Sequence, residues 1–360
     1  MVDLGNRVSI YQPEQEGLKF PEEPHFNSNE ELRLYRKKRL VAACHFFAQQ
    51  KLDYGFAGHL TIRDPEHPEL YWTNPMAVHF DQVKLSNLIL VDHAGKVVEG
   101  DYAVNRAGFV LHAAVHEEHP DILAMCHAHT VYGTAFAALG KPLAPITQDA
   151  CAFFEDHTVI KEDAGAVAVE DDAGPRVARA FKGVKAAIHQ NHGLFTASRH
   201  SIDSAAFWFA ALERCCQQQL MVEAAGGAPI QVPDEAARYS REHVGSEYIG
   251  WLAVQSGLTL AHHGWSWTSG GNIDLTGVIT EAKLGNPHGV LKVAVEGELW
   301  TVEVGQPWRN ERAGLKDGDL SEGVEIRIIG EPSARAEDKL LKAERIFLGD
   351  REYPLYPDRS

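Results

Sequence analysis

The pattern of apolar residues changes near residue 275, and the two parts of the sequence call for different folds. Between residues 29 and 250, segments with helical periodicity alternate with short apolar segments typical of strands, which predicts a layered α/β domain. From Leu275 onward, short strand-like segments are separated by Gly, Asn and Pro, which predicts a small all-β barrel or sandwich. A chain of 360 residues has room for both domains.

These patterns divide the sequence into four regions. Residues 1–25, rich in Pro and Glu, predict a flexible arm, and residues 26–250 form the α/β domain. Within it, Ser201 is the expected N-cap of a long helix. Residues 251–274 are an apolar linker too short to span a bilayer, and residues 275–358 form the β-domain.

Composition excludes several classes of protein. The formal charge of −16 argues against a nucleic-acid partner, because a phosphate backbone requires a basic surface. Five cysteines without a CxxC pair are typical of a reducing compartment. The N-terminal segment is polar and acidic, unlike a secretory signal, and no segment reaches the roughly 18 apolar residues of a membrane helix. We therefore expect a cytoplasmic protein without a membrane partner.

The stretch AMCHAHTVYG places His127 and His129 at the end of an apolar strand-like segment. Because side chains alternate across a strand, both imidazoles point to the same side and can grip one divalent cation. The alternative is two polar residues at a strand terminus. A third ligand is expected from IHQNHGLF, where His192 precedes a glycine turn, whereas His189 is expected to be a strand residue with an ordinary hydrogen bond.

Three histidines that leave one coordination position open are the arrangement of a catalytic metal site. Two further stretches supply candidate substrate-binding residues. Gly58 and His59 lie in GHLTIRDP, in a segment that we expect to face the site. Arg106 opens a predicted helix, where its guanidinium and the free N–H groups could bind a carboxylate or phosphate; the alternative is a surface salt bridge.

Four stretches in this order, GHLTIRDP, NRAGFVLHAAVHEEHPDI, CHAHTVYG and IHQNHGLF, resemble the class II aldolase/adducin family over roughly residues 30–250. The resemblance implies a three-layer α/β/α sandwich around a central sheet, assembled as a homo-oligomer, usually a tetramer. It also implies that His127, His129 and His192 bind Zn²⁺, with Fe²⁺ or Mn²⁺ as alternatives, and that the metal acts as a Lewis acid.

The sequence departs from the family at two positions that matter for catalysis. Gly108 stands where the aldolases carry a catalytic glutamate, and the position of their proton-donating tyrosine falls near Gln148. The aldolases' standard route is therefore not expected. Proton transfer is assigned instead to residues of the following loop, with solvated surface charges as the alternative; the candidates are Asp149, Glu155, Asp156 and His157.

Together these features predict a metal-dependent C–C lyase or decarboxylase acting on a small oxo- or hydroxy-acid. Two alternatives stay open. Some family members handle aromatic oxo-acids with iron and dioxygen, and the aromatic loop CAFFEDH is compatible with an Fe(II)-dependent oxygenase on the same fold. The second alternative is a non-catalytic adducin-like scaffold, which the complete histidine set disfavours.

The C-terminal region, with AHHGWSW and LTGVITEAKLGNPHGVL, resembles a small exported bacterial β-family of unknown function. His262, His263 and His288 are candidate ligands for a metal such as copper, although exposed polar turn residues are the favoured interpretation. The tryptophans of this region are expected to fill the barrel; they are Trp265, Trp267, Trp300 and Trp308.

Overall fold

The chain divides into two compact units, residues 1–261 and 262–360. The computed structural model describes residues 21–162, 164–165, 173–226, 228–258, 268, 271–284, 289–305, 307–316, 318–333 and 338–356. The predicted arm therefore lies largely outside the described residues.

The first unit alternates helices and strands along the chain. Helices α1 to α8 are Asn29–Gln49, Arg106–Glu118, Val131–Ala137, Gln148–Cys151, Ala173–Ala180, Ile202–Ala224, Asp234–Val244 and Glu247–Leu258. Strands β1 to β8 are Gly58–Arg63, Tyr71–Thr73, Ile89–Val91, Val97–Glu99, Ala124–Ala128, His157–Ile160, Ala186–His189 and Gly193–Ser198.

The strands of the first unit form one sheet in the order β4-β3-β2-β1-β5-β8-β7-β6. Neighbouring strands are antiparallel, apart from the parallel pair β6 and β7. Helices α1 and α6 pack on one face, and α2 and α5 pack on the other. The sheet and its two helical layers confirm the predicted α/β/α sandwich.

Local sequence explains where the covering helices begin and which side they bury. The Ser28 side chain accepts a hydrogen bond from the backbone N–H of Glu31 at the start of α1, and Ser201 caps α6 in the same way, as the sequence predicts. Leu40 and Phe47 of α1 are fully buried against the sheet. On the opposite face, Leu111 of α2 packs in a second apolar cluster.

The boundary of the first unit lies beyond the position expected from the sequence. Helix α8 continues to Leu258 and buries Trp251 and Val254, so the region predicted as a linker begins as helix. The apolar packing of Trp251 and Val254 explains the difference. Within the described residues, no helix is both long and apolar enough to cross a bilayer.

The second unit is a β-barrel. Its strands β9 to β14 are Ile273–Lys283, Val290–Val295, Glu298–Glu303, Glu325–Pro332, Leu340–Leu348 and Arg351–Pro354, and helix α9 is Pro307–Ala313. The sheet order is β11-β10-β9-β12-β13-β14, and a parallel pairing of β11 with β13 closes five strands into a barrel. The prediction of a small all-β domain is confirmed, and its barrel form is now resolved.

The interior of the barrel is apolar, with Leu291, Val293 and Ile328 almost fully buried. Trp300 packs half-buried against this core, as expected. The other candidate residues of this region, or their side chains, lie outside the described part of the structure; they are His262, His263, Trp265, Trp267, His288 and Trp308.

Candidate metal centre and its cavity

The candidate metal centre lies where two central strands of the sheet end. His127 is the penultimate residue of β5, and His129 follows the end of that strand. His192 lies in the turn that joins β7 to β8. Because β8 pairs directly with β5, placing Phe195 opposite His127, this turn meets the end of β5.

The three predicted ligands come together in space. One nitrogen from each of His127, His129 and His192 lies within 4.8 Å of the other two. The ring centroids are 4.8–5.1 Å apart. This separation permits one cation to contact all three imidazoles, which is the chemistry that a three-histidine metal site requires.

Hydrogen bonds orient two of the three imidazoles. Nδ1 of His127 donates to the carbonyl of Leu194 at 2.8 Å, which leaves Nε2 for a cation. His189 Nε2 lies 3.0 Å from the Glu162 carbonyl and must donate to it, so its Nδ1 accepts from His192 Nδ1 at 3.1 Å. His192 therefore also presents an unprotonated Nε2, and its partner His189 orients the ligand.

The protonation of the triad suits a cation. Burial lowers the pKa of His127 well below its ordinary value, and it lowers the pKa of His129 as well. Burial, followed by the neighbouring His189 and His129, lowers the pKa of His192 to about 3. Neutral imidazoles at pH 7 keep the lone pairs that metal ligation needs. The residues present thus fit a divalent metal.

The triad opens into a cavity of about 460 Å³. Its lining comprises Phe56, Ala57, Gly58, His59, Asn105, Ala107, Gly108, Leu111, His127, His129, Thr134, Gly165, Asn191 and His192. The titratable side chains among these described residues are four histidines, so this lining contributes no carboxylate, lysine or arginine. A volume of this size accommodates a small organic molecule.

His59 occupies the space that a side chain at position 108 would need. A Cβ added to Gly108 would come within 2.0 Å of Cδ2 and Nε2 of His59. The His59 imidazole is buried beside the triad, 5.0 Å from the His127 ring, and its Nδ1 has no hydrogen-bond partner in the described residues. A glutamate at position 108, as in the aldolases, would therefore collide with His59 in its present position.

The first residue of β1 and the two residues before it form one wall of the cavity, because a glycine at the start of the strand lets the backbone approach closely. A Cβ on Gly58 would lie 3.1 Å from Phe80 and 3.3 Å from the carbonyl of His127. Asn105, the N-cap of α2, donates from its side-chain amide to the carbonyl of Phe56 at 3.2 Å. This bond ties the wall to the start of α2.

Arg106 lies in the first turn of α2, as predicted, but its side chain is exposed. It is not part of the cavity lining. A substrate bound beside the triad in this chain therefore meets the imidazoles and apolar groups described above and not this guanidinium. The substrate-binding role of Arg106 stays a prediction.

The acidic and histidine residues predicted for proton transfer also lie away from the cavity lining of this chain. Asp149 is exposed. Glu155 forms an ion pair with Arg238 at 2.7 Å. His157 accepts a hydrogen bond from the backbone N–H of Leu143 at 3.0 Å. Their catalytic role stays a prediction, and none of them lines the described cavity.

One residue that sequence reasoning missed is Glu213, in the middle of α6. Its carboxylate accepts hydrogen bonds from the Thr130 hydroxyl and from the backbone N–H groups of Tyr132 and Gly133. These groups form the turn directly after His129, so Glu213 anchors the ligand-bearing end of β5. No local signal could have identified it, because it lies 83 residues from Thr130.

Comparison with known proteins places both units. The profile of the class II aldolase and adducin N-terminal domain matches residues 38–220, and that of a family of unknown function (DUF6152) matches residues 251–340. The second match agrees with the resemblance of the C-terminal region to a family without assigned activity.

Two relatives from Streptomyces are similar over the first unit. The chain is 43% identical to decarboxylase NovR of Streptomyces niveus, over 66% of this chain and 87% of that protein. It is also 43% identical to the 4-hydroxy-3-prenylphenylpyruvate oxygenase/4-hydroxy-3-prenylbenzoate synthase of Streptomyces roseochromogenus subsp. oscitans, over 66% and 85%. Alpha-adducin of Mus musculus is more distant, at 28% over 48% of this chain and 23% of that protein.

A solved structure described as L-fuculose 1-phosphate aldolase from Glaciozyma antarctica PI12 shares the fold. It is 39% identical, with a TM-score of 0.62, over 67% of this chain and 94% of that one. The profile match over half of the chain, the relatives at 43% identity and this structural likeness agree. The chain belongs to the class II aldolase and adducin family.

Proposed function

We propose that the chain is a divalent-metal-dependent lyase that decarboxylates a small oxo- or hydroxy-acid. The observation that carries the proposal is the triad of His127, His129 and His192, whose nitrogen atoms lie within 4.8 Å of one another at a cavity of about 460 Å³. Membership of a family whose aldolases depend on divalent metals supports an enzyme of the lyase type. The decarboxylase name of a relative supports the finer assignment.

The composition of the cavity favours decarboxylation over aldol cleavage. Cleaving an aldol requires a base to remove a hydroxyl proton, and the position of the family's glutamate holds Gly108. Loss of carbon dioxide from a 3-oxo acid needs no such base, because the bond to the ionised carboxylate breaks and its electron pair forms an enolate with the oxo group on the next carbon. A proton from water then completes the product. The described cavity lining has no carboxylate, and these reaction steps require none.

In this proposal a bound divalent cation supplies Lewis-acid stabilisation of the negative charge that develops on the substrate oxygen. The chain's own residues orient the substrate. His59 lines the same cavity, and its imidazole donates a hydrogen bond to a substrate oxygen. Phe56 and Leu111 contact the apolar part of the substrate, and Gly58 lets the backbone approach the substrate closely.

Zn²⁺ is the proposed metal, with Fe²⁺ or Mn²⁺ as alternatives, since three imidazoles with an open position suit each of them. The oxygenase name of the second Streptomyces relative favours one further candidate function, an Fe²⁺-dependent oxidative decarboxylation of an aryl oxo-acid that also consumes dioxygen. The proposal includes assembly of the chain into a cytoplasmic homo-oligomer, a tetramer as is usual in the family.

The test combines metal analysis with product detection. Elemental mass spectrometry of the full chain is expected to find about one divalent metal per chain, and His192→Ala is expected to lose it, because one of three ligands is removed. The matched control is His93→Ala, which changes an exposed turn histidine outside the cavity. Carbon dioxide release is then followed without dioxygen on benzoylacetate, an aromatic 3-oxo acid, and with dioxygen on 4-hydroxyphenylpyruvate, an aromatic 2-oxo acid.

Release of carbon dioxide without dioxygen supports the lyase, and release that requires iron and dioxygen supports the oxygenase. In both cases His192→Ala abolishes the release and His93→Ala does not. A chain that takes up no stoichiometric metal after reconstitution with Zn²⁺, Fe²⁺ or Mn²⁺ contradicts the proposal and leaves the adducin-like scaffold.

A further inference from the structure

A second cavity, of about 130 Å³, lies on the other side of the sheet from the metal centre. Side chains alternate along β1: His59 and Thr61 face α2, and Ile62 faces α1 and lines this second cavity. The remaining walls come from α1, the start of α6 and Trp251 of α8. Its lining shares no residue with that of the metal centre.

One nitrogen atom of a buried guanidinium in the wall of this cavity lacks a hydrogen-bond acceptor in the described residues. Arg39 is 6% exposed, and its Nε donates to both carboxylate oxygens of Asp203 at 2.8 and 2.9 Å. Its Nη2 is buried and has no hydrogen-bond partner in the described residues. Leaving a charged donor buried without an acceptor costs free energy, so an acceptor that reached this guanidinium from the cavity would be stabilised.

The charged groups of the cavity favour an anion. Arg36 lines it beside Arg39, and burial lowers the pKa of Arg36 only to about 10, so the Arg36 guanidinium stays charged at pH 7. One buried carboxylate, Asp203, faces them. At the rim, Glu23 is paired with His200 at 2.6 Å. The start of α6, with its N–H groups, adds positive potential at the same wall.

The rest of the wall is apolar, with contributions from Phe26, Leu32, Ile62 and Trp251. An inorganic anion would leave this surface uncovered. A cavity of roughly 150 Å³ accommodates benzene in another protein, so the volume here suits a compact ring or branched chain. The ligand that matches both parts carries one carboxylate on a small apolar body.

We propose that this cavity binds a small organic carboxylate of about the size of benzoate, with the carboxylate on Arg39 and the apolar body between α1 and Trp251. The site is separate from the metal centre and does not depend on the proposed function. The guanidinium recognises the carboxylate of the ligand through one hydrogen bond or through two parallel ones, which is how Arg pairs with carboxylates.

Isothermal titration calorimetry of the metal-loaded full chain with sodium benzoate tests the site. We expect one binding event with a Kd at or below about 1 mM, and binding of benzyl alcohol weaker by at least about tenfold, because it lacks the carboxylate. His127→Ala is expected to leave the benzoate affinity unchanged, since that residue belongs to the other cavity.

Two variants probe the cavity itself. Leu32→Trp fills it from α1, and its matched control is Leu34→Trp on the same helix, where the side chain is 47% exposed and lies outside the lining. Arg39→Gln combined with Asp203→Asn removes the guanidinium without leaving its carboxylate partner charged. Leu32→Trp and the double variant are expected to abolish benzoate binding, and Leu34→Trp is expected to retain it.

Three results would overturn the proposal. The first is no benzoate binding to the unmodified chain, which leaves the cavity to water. The second is binding that persists in Leu32→Trp and disappears in His127→Ala, which assigns the carboxylate to the metal centre. The third is equal affinity for benzyl alcohol, which removes the role of the guanidiniums. Circular dichroism of each variant confirms folding before titration.

Discussion

At the scale of single residues, packing couples the side chain of His59 to the absence of a side chain at Gly108. The resemblance implies a glutamate at position 108, and the structure shows the His59 imidazole in the space that any side chain there would enter. His59 pairs with His127 in the register of β1 and β5, which brings it to the triad. A glutamate cannot be restored at position 108 unless this imidazole moves.

Gly108→Ala is expected to displace His59, since the new Cβ lies 2.0 Å from the imidazole. Overpacking of this kind costs about 1–3 kcal/mol of the free energy of unfolding, which denaturant titration measures. Turnover should fall with stability. Gly271→Ala is the control, because nothing lies within 4 Å of its Cβ. In a double-mutant cycle, His59→Ala should absorb most of the Gly108→Ala cost; additive costs would contradict the steric explanation.

Asp64 controls stability in acid. Burial alone would raise the pKa of its carboxyl, but hydrogen bonds from Arg33, the backbone N–H of His67 and the Trp72 indole outweigh burial and hold the pKa well below its usual range. The unfolded chain therefore binds the proton more readily. The stabilisation is complete above about pH 5, and it is lost progressively as the pH falls from the unfolded pKa near 4 towards the lower pKa of the folded chain.

Asp64→Asn is accordingly expected to cost about 1–3 kcal/mol of unfolding free energy at pH 7. Urea titrations of both proteins from pH 7 to pH 3 should show this difference shrinking below about pH 5. Asp101→Asn, at an exposed carboxylate, is the control. A difference that stays constant down to pH 3 would show that the charge of Asp64 is not its source.

At the scale of elements, the ends of strands and helices carry the candidate site, and a helix behind them holds it. The strand β5 ends with the ligand pair, α3 begins directly after it, and Glu213 of α6 binds the first N–H groups of α3. Negative charge at a helix start is stabilising, and here the contact also fixes the strand end. The site thus depends on a helix that contributes no lining residue.

Glu213→Gln is expected to weaken metal affinity by about tenfold, because groups that orient ligands usually contribute on this scale. Competition with a chromogenic chelator measures it. Glu223→Gln on the same helix is the matched control, since its carboxylate pairs with Lys141 away from the turn. Equal metal affinity of the two variants would place Glu213 in a purely structural role.

At the scale of the whole molecule, two hydrophobic cores are built from different patterns. The α/β unit buries residues on both faces of a mixed sheet, whereas the barrel buries apolar residues inside five closed strands. Each unit has the separate core that an independently folding domain requires. The order of the strands, and not their sequences alone, closes the barrel through the pairing of β11 with β13.

Scanning calorimetry of the full chain is expected to resolve two transitions. Leu291→Ala leaves a hole in the barrel core and should lower one transition by the equivalent of about 2–5 kcal/mol. Metal binding should raise the other transition only, since ligands stabilise the unit that binds them. A single transition that responds to both changes would contradict separate cores. Leu299→Ala, at a position 56% exposed, is the control.

The part of the candidate site that could be predicted consists of residues with a recognisable spacing in the sequence. Two histidines with strand spacing, and a third before a glycine turn, are visible in the sequence and come together in the structure. The loop residues predicted for proton transfer, among them Asp149 and Glu155, show no such spacing, because the prediction rests only on a loop expected to approach the site. They lie outside the described cavity lining. Distance along the chain does not measure distance in a folded sheet.

The sequence by itself determined the two-domain organisation, the periodic helices and strands, and the identity of three candidate ligands, because these depend on local spacing and on which faces are apolar. The tertiary structure alone decided that His59 fills the place of a side chain at position 108, that Glu213 anchors the ligand turn, and that the buried Arg39, paired with Asp203, lines a second cavity. These features arise between residues far apart in the chain. Only packing brings such groups within hydrogen-bond distance, so no local pattern records them.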